Sequence, residues 1–264
     1  MRIEAIRIED NKFIPVEDEL VDEEILQISI NGSPYTTTMR TPGHENELIR
    51  GILLTEDVYS KTSNPITTVL EKNEKDFITK MDVRIAAEDL GEGIQTKRNL
   101  LSVTSCGVCG KYEMDLNLKG AKLSSTLSLL PSTIGELFRK MSSHQELFRK
   151  TGGCHAAAAF NQHGQLLCLY EDIGRHNAVD KVIGHLALHE HCPAIHTKVS
   201  SENLAACLLV SGRVSYEIVS KCYRAGIPYL AAVSAASSLA VNYCKEKGIH
   251  LFAFCREHKV TQYT

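Results

Sequence analysis

Four segments in the first third of the chain are candidate strands, 24–30, 35–40, 66–70 and 77–85, and in the first and last of them apolar and polar residues alternate with period two. This alternation is typical of strands that are buried on one face only. The first two segments flank Asn31 and Gly32, a pair that favours the tight turn of a β-hairpin. The sequence therefore predicts a hairpin near the start of the chain and two further strands after it.

Apolar residues with helical spacing follow the hairpin. Thr41 and Pro42 form a cap with proline at the first helical position, and the apolar pattern behind them predicts a helix over about 43–59. Further helices are expected to begin near residues 133, 177, 214 and 237. They alternate with predicted strands at 155–160, 165–170, 207–210, 228–233 and 249–254. Alternation of this kind predicts an α/β fold, with a largely parallel sheet covered by helices.

Composition narrows the class of protein without assigning a function. The chain has 264 residues, 43% hydrophobic and 23% charged, with a formal net charge of −3. These are ordinary values for a globular protein and do not suggest nucleic-acid binding. No apolar run is long enough for a signal peptide or a membrane span, so a cytoplasmic location with mostly reduced cysteines is expected.

Two cysteines stand out in the segment 105–110, which reads Ser-Cys-Gly-Val-Cys-Gly. The glycines beside Cys106 and Cys109 predict a mobile loop. One such pair supplies half of a zinc site, with Cys154 and His155 as possible supplements. A thioredoxin-like redox pair would need a helix after the first cysteine, which the alternating residues 111–119 disfavour. A zinc half-site, a redox pair and a carrier of a transferable group all remain open at this point.

Basic, polar and glycine residues follow four of the predicted strands. The segments concerned are 171–181, 211–217, 234–238 and 254–259. Ligands of open α/β sheets bind beyond the carboxyl ends of the strands, and free helix N-termini and arginines there bind phosphate. We therefore expect a phosphorylated ligand, with Arg175 and Arg213 on its phosphates and Asp172 and Asp180 accepting from a base or sugar. The alternative is that these segments are helix caps with solvated charges.

Five motifs in order give the chain a resemblance to a known family. They are TPGHENEL at 41–48, the cysteine segment, TGGCH at 151–155, EDIGRHNAVDK at 171–181 and SGRVSYE at 211–217. Together they resemble the FdhD family of formate dehydrogenase accessory sulfur carriers. The resemblance implies a cytidine-deaminase-like mixed sheet flanked by helices, with an N-terminal β-hairpin lobe and the mobile cysteine loop. It also implies an N-terminal extension (1–23) and a single domain (24–264), with one lobe over about 24–130 and a cofactor-binding lobe over about 131–264.

The resemblance implies a function as well. A cysteine desulfurase would load Cys106 with sulfur as a persulfide, assisted by Cys109, and no permanently bound metal is expected. The sulfur would pass to a molybdenum or tungsten bis(guanine dinucleotide) pterin destined for the catalytic subunit of formate dehydrogenase. A homodimer without nucleic-acid or membrane partners is implied. Alternatives are a cofactor-binding chaperone without sulfur transfer and a zinc-stabilised nucleotide-binding module. The residues expected at the cofactor are His155, Gly174, Arg175, His176, Asn177, Asp180, Lys181, Ser211, Gly212, Arg213, Ser234, Phe254, Cys255, Arg256, Glu257, His258 and Lys259.

Overall fold

The computed structural model describes residues 1–95, 123, 131–256 and 259–264. The strands in this part are β1 (Arg2–Glu9), β2 (Lys12–Glu19), β3 (Glu24–Ile30), β4 (Ser33–Arg40), β5 (Ile66–Lys72), β6 (Ile78–Arg84), β7 (His155–Asn161), β8 (Leu166–Asp172), β9 (Ala205–Val210), β10 (Tyr229–Ala232), β11 (His250–Arg256) and β12 (Lys259–Gln262). The α-helices are α1 (Glu45–Thr55), α2 (Pro131–Ser143), α3 (Glu146–Thr151), α4 (Arg175–Leu188), α5 (Tyr216–Arg224) and α6 (Ser238–Lys247). The predicted cysteine loop and its flanking strands at 100–104 and 111–119 lie outside the described residues.

A six-stranded central sheet has the strand order β12-β11-β10-β9-β7-β8. Strands β9, β10 and β11 are parallel to one another, whereas β7 is antiparallel to both β8 and β9, and β12 is antiparallel to β11. The expected α/β fold with a mixed sheet is therefore confirmed. Because β7 is antiparallel to both of its neighbours, β8 and β9 run in the same direction. The carboxyl ends of β8, β9, β10 and β11 therefore lie at one edge of the sheet.

Both faces of the central sheet are buried, as the run of small apolar residues in β7 requires. Ala157 and Ala159 pack into the core that contains α4, and Ala156 and Ala158 pack into the core that contains Leu137 of α2. A strand covered on both faces has no polar side to show, so its sequence reads as continuously apolar. Helices on both faces hold the sheet edge at a fixed place in the molecule.

A second, four-stranded sheet has the order β4-β3-β6-β5. Strands β3 and β4 form the hairpin predicted around Asn31, whose φ of 51° and that of Gly32, 79°, place both turn residues in the left-handed region. Helix α1 packs against this sheet through Leu48, Ile52 and their neighbours. The hairpin predicted around Asn31 is present, and the strands predicted at 66–70 and 77–85 are observed as β5 and β6.

Two glycines join the four-stranded sheet to the central sheet. A Cβ at Gly51 of α1 would overlap the backbone of Asp180 in α4, and a Cβ at Gly184 of α4 would overlap the backbone of Glu47 in α1. Only glycine permits so close an approach of two helices. This contact brings the segment before α1 and the segment before α4 against each other, and these segments carry two of the five motifs.

A two-stranded hairpin of β1 and β2 at the start of the chain was not predicted from the sequence, and neither were α3 and β12. Residues Asp10 and Asn11 form its turn, with φ of 48° and 63°. We call residues 1–20 the N-terminal arm. No helix in the described part of the chain is long and apolar enough to span a bilayer.

Candidate functional site at the carboxyl edge of the central sheet

Three of the predicted site segments meet at the edge where β8 and β9 end and antiparallel β7 begins. The Oγ atom of Ser211, after β9, lies 3.4 Å from Nδ1 of His155, the first residue of β7. A Cβ at Gly212 would lie 3.3 Å from that Nδ1 and 3.4 Å from the side-chain carbons of Arg175, the first residue of α4. The structure thus brings together His155, Arg175 and Gly212, which are far apart in the sequence.

Helix α4 begins at this edge without a side-chain bond from its N-cap residue. Its N-cap is Gly174, and the N-cap of α5, Ser215, also makes no side-chain cap hydrogen bond. By contrast, Ser237 accepts from the N–H of Ala240 and so caps α6. The N-terminus of a helix is a favourable place for an anion because free N–H groups and the helix dipole point at it. Two such N-termini therefore face the candidate site.

The side chain of Arg175 has capacity to bind a ligand. Its Nε atom is buried without a hydrogen-bond partner among the described residues. A buried donor of this kind carries a free-energy cost until an acceptor reaches it. Together with exposed Arg213, Arg175 supplies the positive charge expected for phosphate recognition.

His155 is held in its neutral form at this edge. Burial lowers the pKa of His155, and the nearby cations Arg175 and Arg213 lower it further, against the opposite influence of Asp172. A neutral imidazole can donate one hydrogen bond and accept another. His155 is therefore suited to a polar contact with a ligand and adds no third positive charge.

Asp172 fixes the position of the α4 N-terminus. Its Oδ1 accepts the N–H of Gly174 at 2.8 Å and Nδ2 of Asn177 at 3.2 Å. Its Oδ2 accepts the N–H of Thr41 at 3.2 Å and pairs with Nζ of Lys181 at 2.8 Å. The sequence suggested that Asp172 accepts from a base or sugar, but in the structure internal donors already occupy both oxygens of this fully buried carboxylate.

Thr41 completes the same network from the other side. Lys181 donates to the Thr41 carbonyl at 2.9 Å, and the Thr41 hydroxyl accepts the N–H of Ile173 at 3.0 Å. The TPGHENEL and EDIGRHNAVDK motifs are therefore two halves of one hydrogen-bonded unit. The role of Thr41 was missed from the sequence. The prediction that Thr41 and Pro42 cap the helix was wrong, because α1 begins at Glu45 with His44 as its N-cap.

Asp180, Lys181 and Asn177, expected at the cofactor, have partners inside the protein. Asp180 is buried and binds Nζ of Lys221 at 2.8 Å and the hydroxyl of Thr55 at 2.9 Å. Asn177 donates to the Met39 carbonyl as well as to Asp172. These three residues hold helices and loops together, whereas Arg175 and His155 are the ones oriented toward the edge. His176 is buried at the start of α4.

The end of β11 presents a large apolar side chain at the same edge. A β-bulge lies between Ala253 and Arg256, and within it Phe254 has a φ of 52° and is 41% exposed. Bulges next to functional sites commonly redirect a side chain. The N–H of Phe254 donates to the carbonyl of Ser234, which ties the expected segment after β10 to the bulge.

The remaining residues of the C-terminal segment divide into three groups. Cys255 is 2% exposed and packs in the core against α2, so the structure turns its thiol away from the edge. Arg256 and Lys259 are exposed and stand opposite each other in the backbone register of β11 and β12. Glu257 and His258 lie outside the described residues, as do Cys106 and Cys109.

Cys154 directly precedes His155 in the chain, and its thiol therefore lies close to the candidate site. Its thiol donates to Oε1 of Glu171 at 3.4 Å and it is 7% exposed. Burial and the Glu171 carboxylate raise the pKa of Cys154 to about 12. Because the thiolate is the nucleophilic form, Cys154 is unreactive near neutral pH in this environment.

These features define a class of protein, namely an α/β protein whose central sheet has, at its carboxyl edge, two helix N-termini without a side-chain N-cap bond, two arginines and an exposed aromatic ring. The FdhD/NarQ family model matches residues 21–264. The chain belongs to the FdhD/NarQ family, and the resemblance found in the five motifs is confirmed.

Curated relatives are similar over nearly the whole chain. A protein named sulfur carrier protein FdhD from Mycolicibacterium paratuberculosis is 38% identical over 254 residues, covering 94% of this chain and 90% of its own. A protein of the same name from Sulfolobus acidocaldarius is 34% identical, covering 100% of this chain and 96% of its own. A crystal structure from Desulfotalea psychrophila, described as a formate dehydrogenase accessory protein, matches with a TM-score of 0.74 at 21% identity, over 100% of this chain and 96% of that one. This last likeness bears on the fold, and the finer cytidine-deaminase-like assignment stays a prediction.

Proposed function

We propose that this chain is a sulfur carrier that accepts sulfane sulfur from a cysteine desulfurase on Cys106. It passes the sulfur to a molybdenum or tungsten bis(guanine dinucleotide) pterin, which is its substrate, before that pterin enters formate dehydrogenase. The name shared by its curated relatives supports the carrier role. The observation that carries the proposal is the convergence of Arg175, His155 and two uncapped helix N-termini at one sheet edge.

The residues at this edge suit the two ends of a guanine nucleotide. Its phosphates would bind the N-terminus of α4 and the guanidinium of Arg175, because phosphate oxygens accept from backbone N–H groups and from arginine. The purine would stack on the exposed ring of Phe254, since aromatic side chains bind the faces of bases. Asp172 and Thr41 hold these groups in position through the network of buried hydrogen bonds.

Sulfur transfer would use the cysteine pair. The Cys106 thiolate attacks the terminal sulfur of the desulfurase persulfide, forming a Cys106 persulfide and releasing the desulfurase thiolate. The Cys109 thiolate can then attack the inner sulfur of that persulfide, forming a Cys106–Cys109 disulfide and releasing sulfide to the metal of the substrate. A thiol reductant afterwards restores the two cysteines. All seven cysteines in the described residues are buried. They are therefore not expected to compete with Cys106 and Cys109 for sulfur.

Labelling from radioactive cysteine and a desulfurase tests the carrier role directly. The wild-type protein should acquire one labile sulfur, found at Cys106 by alkylation and mass spectrometry. Cys106→Ala should lose this label, while the matched variant Cys154→Ala, which removes a buried thiol, should keep it. Undiminished label in Cys106→Ala would exclude the assignment of the carrier residue.

Co-expression with formate dehydrogenase separates the carrier from a cofactor-binding chaperone. A carrier needs Cys106, so Cys106→Ala should leave formate dehydrogenase inactive although the variant still binds guanosine diphosphate. A chaperone would activate the enzyme without that thiol. The proposal also includes a homodimer. Sedimentation velocity should show a species with twice the mass of one chain.

A further inference from the structure

The N-terminal arm exposes apolar side chains that nothing in the described part of the chain covers. Ile6 is 65% exposed, Ile8 63% and Phe13 71%. The register pairs Ile8 with Phe13 and Ile6 with Pro15 across the two strands. Directly opposed residues of an antiparallel pair lie on the same face. These four side chains therefore form one continuous apolar surface, which we call the arm platform.

The two outer edges of the arm differ in what they can bind. Met1 and Leu20 exchange both of their backbone hydrogen bonds. Antiparallel pairs alternate between bonded and non-bonded positions, so Met1–Leu20 is followed by a non-bonded pair at Arg2–Glu19. Ile6–Pro15 is likewise a non-bonded pair, and its backbone groups point outward. Proline has no N–H, so the outer edge of β2 lacks a donor at Pro15. The outer edge of β1 keeps the N–H and carbonyl groups of Glu4, Ile6 and Ile8, and β1 pairs only with β2 among the described strands.

The charge beside the arm platform selects the kind of partner. Glu4 and Glu17 are directly opposite each other and both are exposed. They lie two residues along the strands from Ile6 and Pro15, on the same face of the arm. Neither Glu4 nor Glu17 makes an ion pair with a described residue. By contrast, Arg2 and Glu19, two residues further along the same face, form an ion pair with each other. Opposed like charges destabilise a strand pair, so a cation placed between them is favourable. The acidic residues of the arm are Glu4, Glu9, Asp10, Glu17, Asp18 and Glu19, against the basic residues Arg2, Arg7 and Lys12. Two such arms repel each other, which disfavours a second copy as the occupant.

We propose that the N-terminal arm is a docking strand for an extended segment of a partner protein. The segment adds to the outer edge of β1 through backbone hydrogen bonds, as in known cases of β-augmentation. It places two alternate apolar side chains against the arm platform and a lysine or arginine, two positions further along, beside Glu4, from where the long side chain reaches toward Glu17. The arm lies outside the part of the chain that matches the family, which begins at residue 21.

The base of the arm lies next to the residues that support the candidate site. Met1 and Leu20 share a surface cleft with Thr41 and Pro42. Thr41 belongs to the buried network of Asp172 at the sheet edge. The arm therefore starts next to the residues that support the edge at which the ligand is expected. The docking proposal itself does not depend on sulfur transfer.

Fluorescence anisotropy with a defined peptide tests the proposal on the full chain with its native N-terminus. The probe is a fluorescein-labelled peptide of sequence SRTVTITST, and its matched control replaces the arginine with glutamate. The wild-type protein should bind the arginine peptide saturably and at least about tenfold more tightly than the glutamate peptide. Phe13→Ser and Ile8→Ser should each weaken binding about tenfold or more. Ile66→Ser is the matched control, because Ile66 is 67% exposed on another strand, and it should bind as the wild type does.

Two further variants separate the edge from the platform. Ile6→Ala and Ile6→Pro both remove the side chain, but only proline removes the outward N–H, so Ile6→Pro should bind more weakly than Ile6→Ala. Unchanged thermal unfolding shows that the rest of the fold is intact. Absence of peptide binding, or equal binding by all variants, would overturn the proposal. Self-association that Phe13→Ser abolishes and Ile66→Ser preserves would overturn it in favour of a second copy.

Discussion

The carboxylate of Asp172 lies 2.8 Å from Nζ of Lys181, and the two side chains are only 0% and 1% exposed. Both also bind Thr41, so the ion pair connects the start of α4 with the loop before α1. Its position beneath the candidate site makes it part of the support for ligand binding as well as of the core.

Breaking this ion pair on one side should destabilise the protein. Lys181→Met leaves the Asp172 carboxylate without its counter-charge, and we expect a loss of about 3–5 kcal/mol in the free energy of unfolding. Urea denaturation measures the loss. The double variant Asp172→Asn with Lys181→Met removes both charges and should be less destabilised than Lys181→Met alone. A double variant as unstable as the sum of the two single ones would show that the pair is not coupled.

Arg175→Ala should weaken the binding of guanosine diphosphate without destabilising the fold. The Nε atom of Arg175 has no hydrogen-bond partner among the described residues, so its removal leaves no described acceptor of that atom unpaired. Hydrogen bonds to charged groups contribute about 1.5–3 kcal/mol, so the dissociation constant should rise roughly tenfold to hundredfold. Isothermal titration calorimetry measures this constant. Arg139→Ala on α2 is the control, since that arginine is 68% exposed and pairs within its own helix. Equal losses in both variants would indicate a nonspecific charge effect.

Substitutions of Phe254 should separate stability from binding. A left-handed backbone costs a residue with a Cβ about 1–2 kcal/mol, a penalty that glycine escapes. Phe254→Gly should therefore unfold at a higher urea concentration than Phe254→Ala, which keeps the strain. Both variants lose the ring and should bind guanosine diphosphate more weakly than the wild type. If binding stays unchanged in both, Phe254 does not contact the base.

Acid should destabilise the protein in a window set by His185. Burial, assisted by His189, lowers the pKa of His185 from 6.5 to about 4 in the folded protein. Between these values the unfolded chain binds a proton that the folded chain does not, so stability is full above pH 6.5 and falls as the pH drops toward 4. His185→Gln should flatten this part of the profile, measured by urea denaturation at several pH values. The imidazole of His44, whose Nδ1 lies 3.9 Å from Oε1 of Glu47, is the main cause that lowers the pKa of Glu47 from 4.5 to about 2. The stability that Glu47 contributes is therefore lost at lower pH than that of His185. An unchanged profile in His185→Gln would contradict the assignment.

Local patterns in the sequence predicted most of the regular structure. The Asn31-Gly32 turn gave the β3–β4 hairpin, and the strand-helix alternation after residue 150 gave the sheet edge where His155, Arg175 and Ser211 meet. The N-terminal arm escaped prediction because its alternating charges and apolar residues show no buried face. Its turn, Asp10-Asn11, did carry a signal, since Asp and Asn tolerate the left-handed conformation.

The roles of individual polar residues depended on packing that no sequence pattern reveals. Asp180 and Lys181 are neighbours on α4, yet Asp180 pairs with Lys221 on α5 and Lys181 pairs with Asp172 at the end of β8. Both read equally well as ligand-binding residues in the linear motif. Which partner each finds is decided by the close approach of α1 and α4 at Gly51 and Gly184, a tertiary contact.

Pro15 has a consequence for assembly. An exposed hairpin with two complete outer edges could recruit strands on both sides, and molecules linked in that way would grow into fibres. With one donor missing from the outer edge of β2, the arm can extend on one side alone. A further strand then cannot add to the edge of β2 with a full set of backbone hydrogen bonds, which disfavours fibres that grow from both edges of the arm.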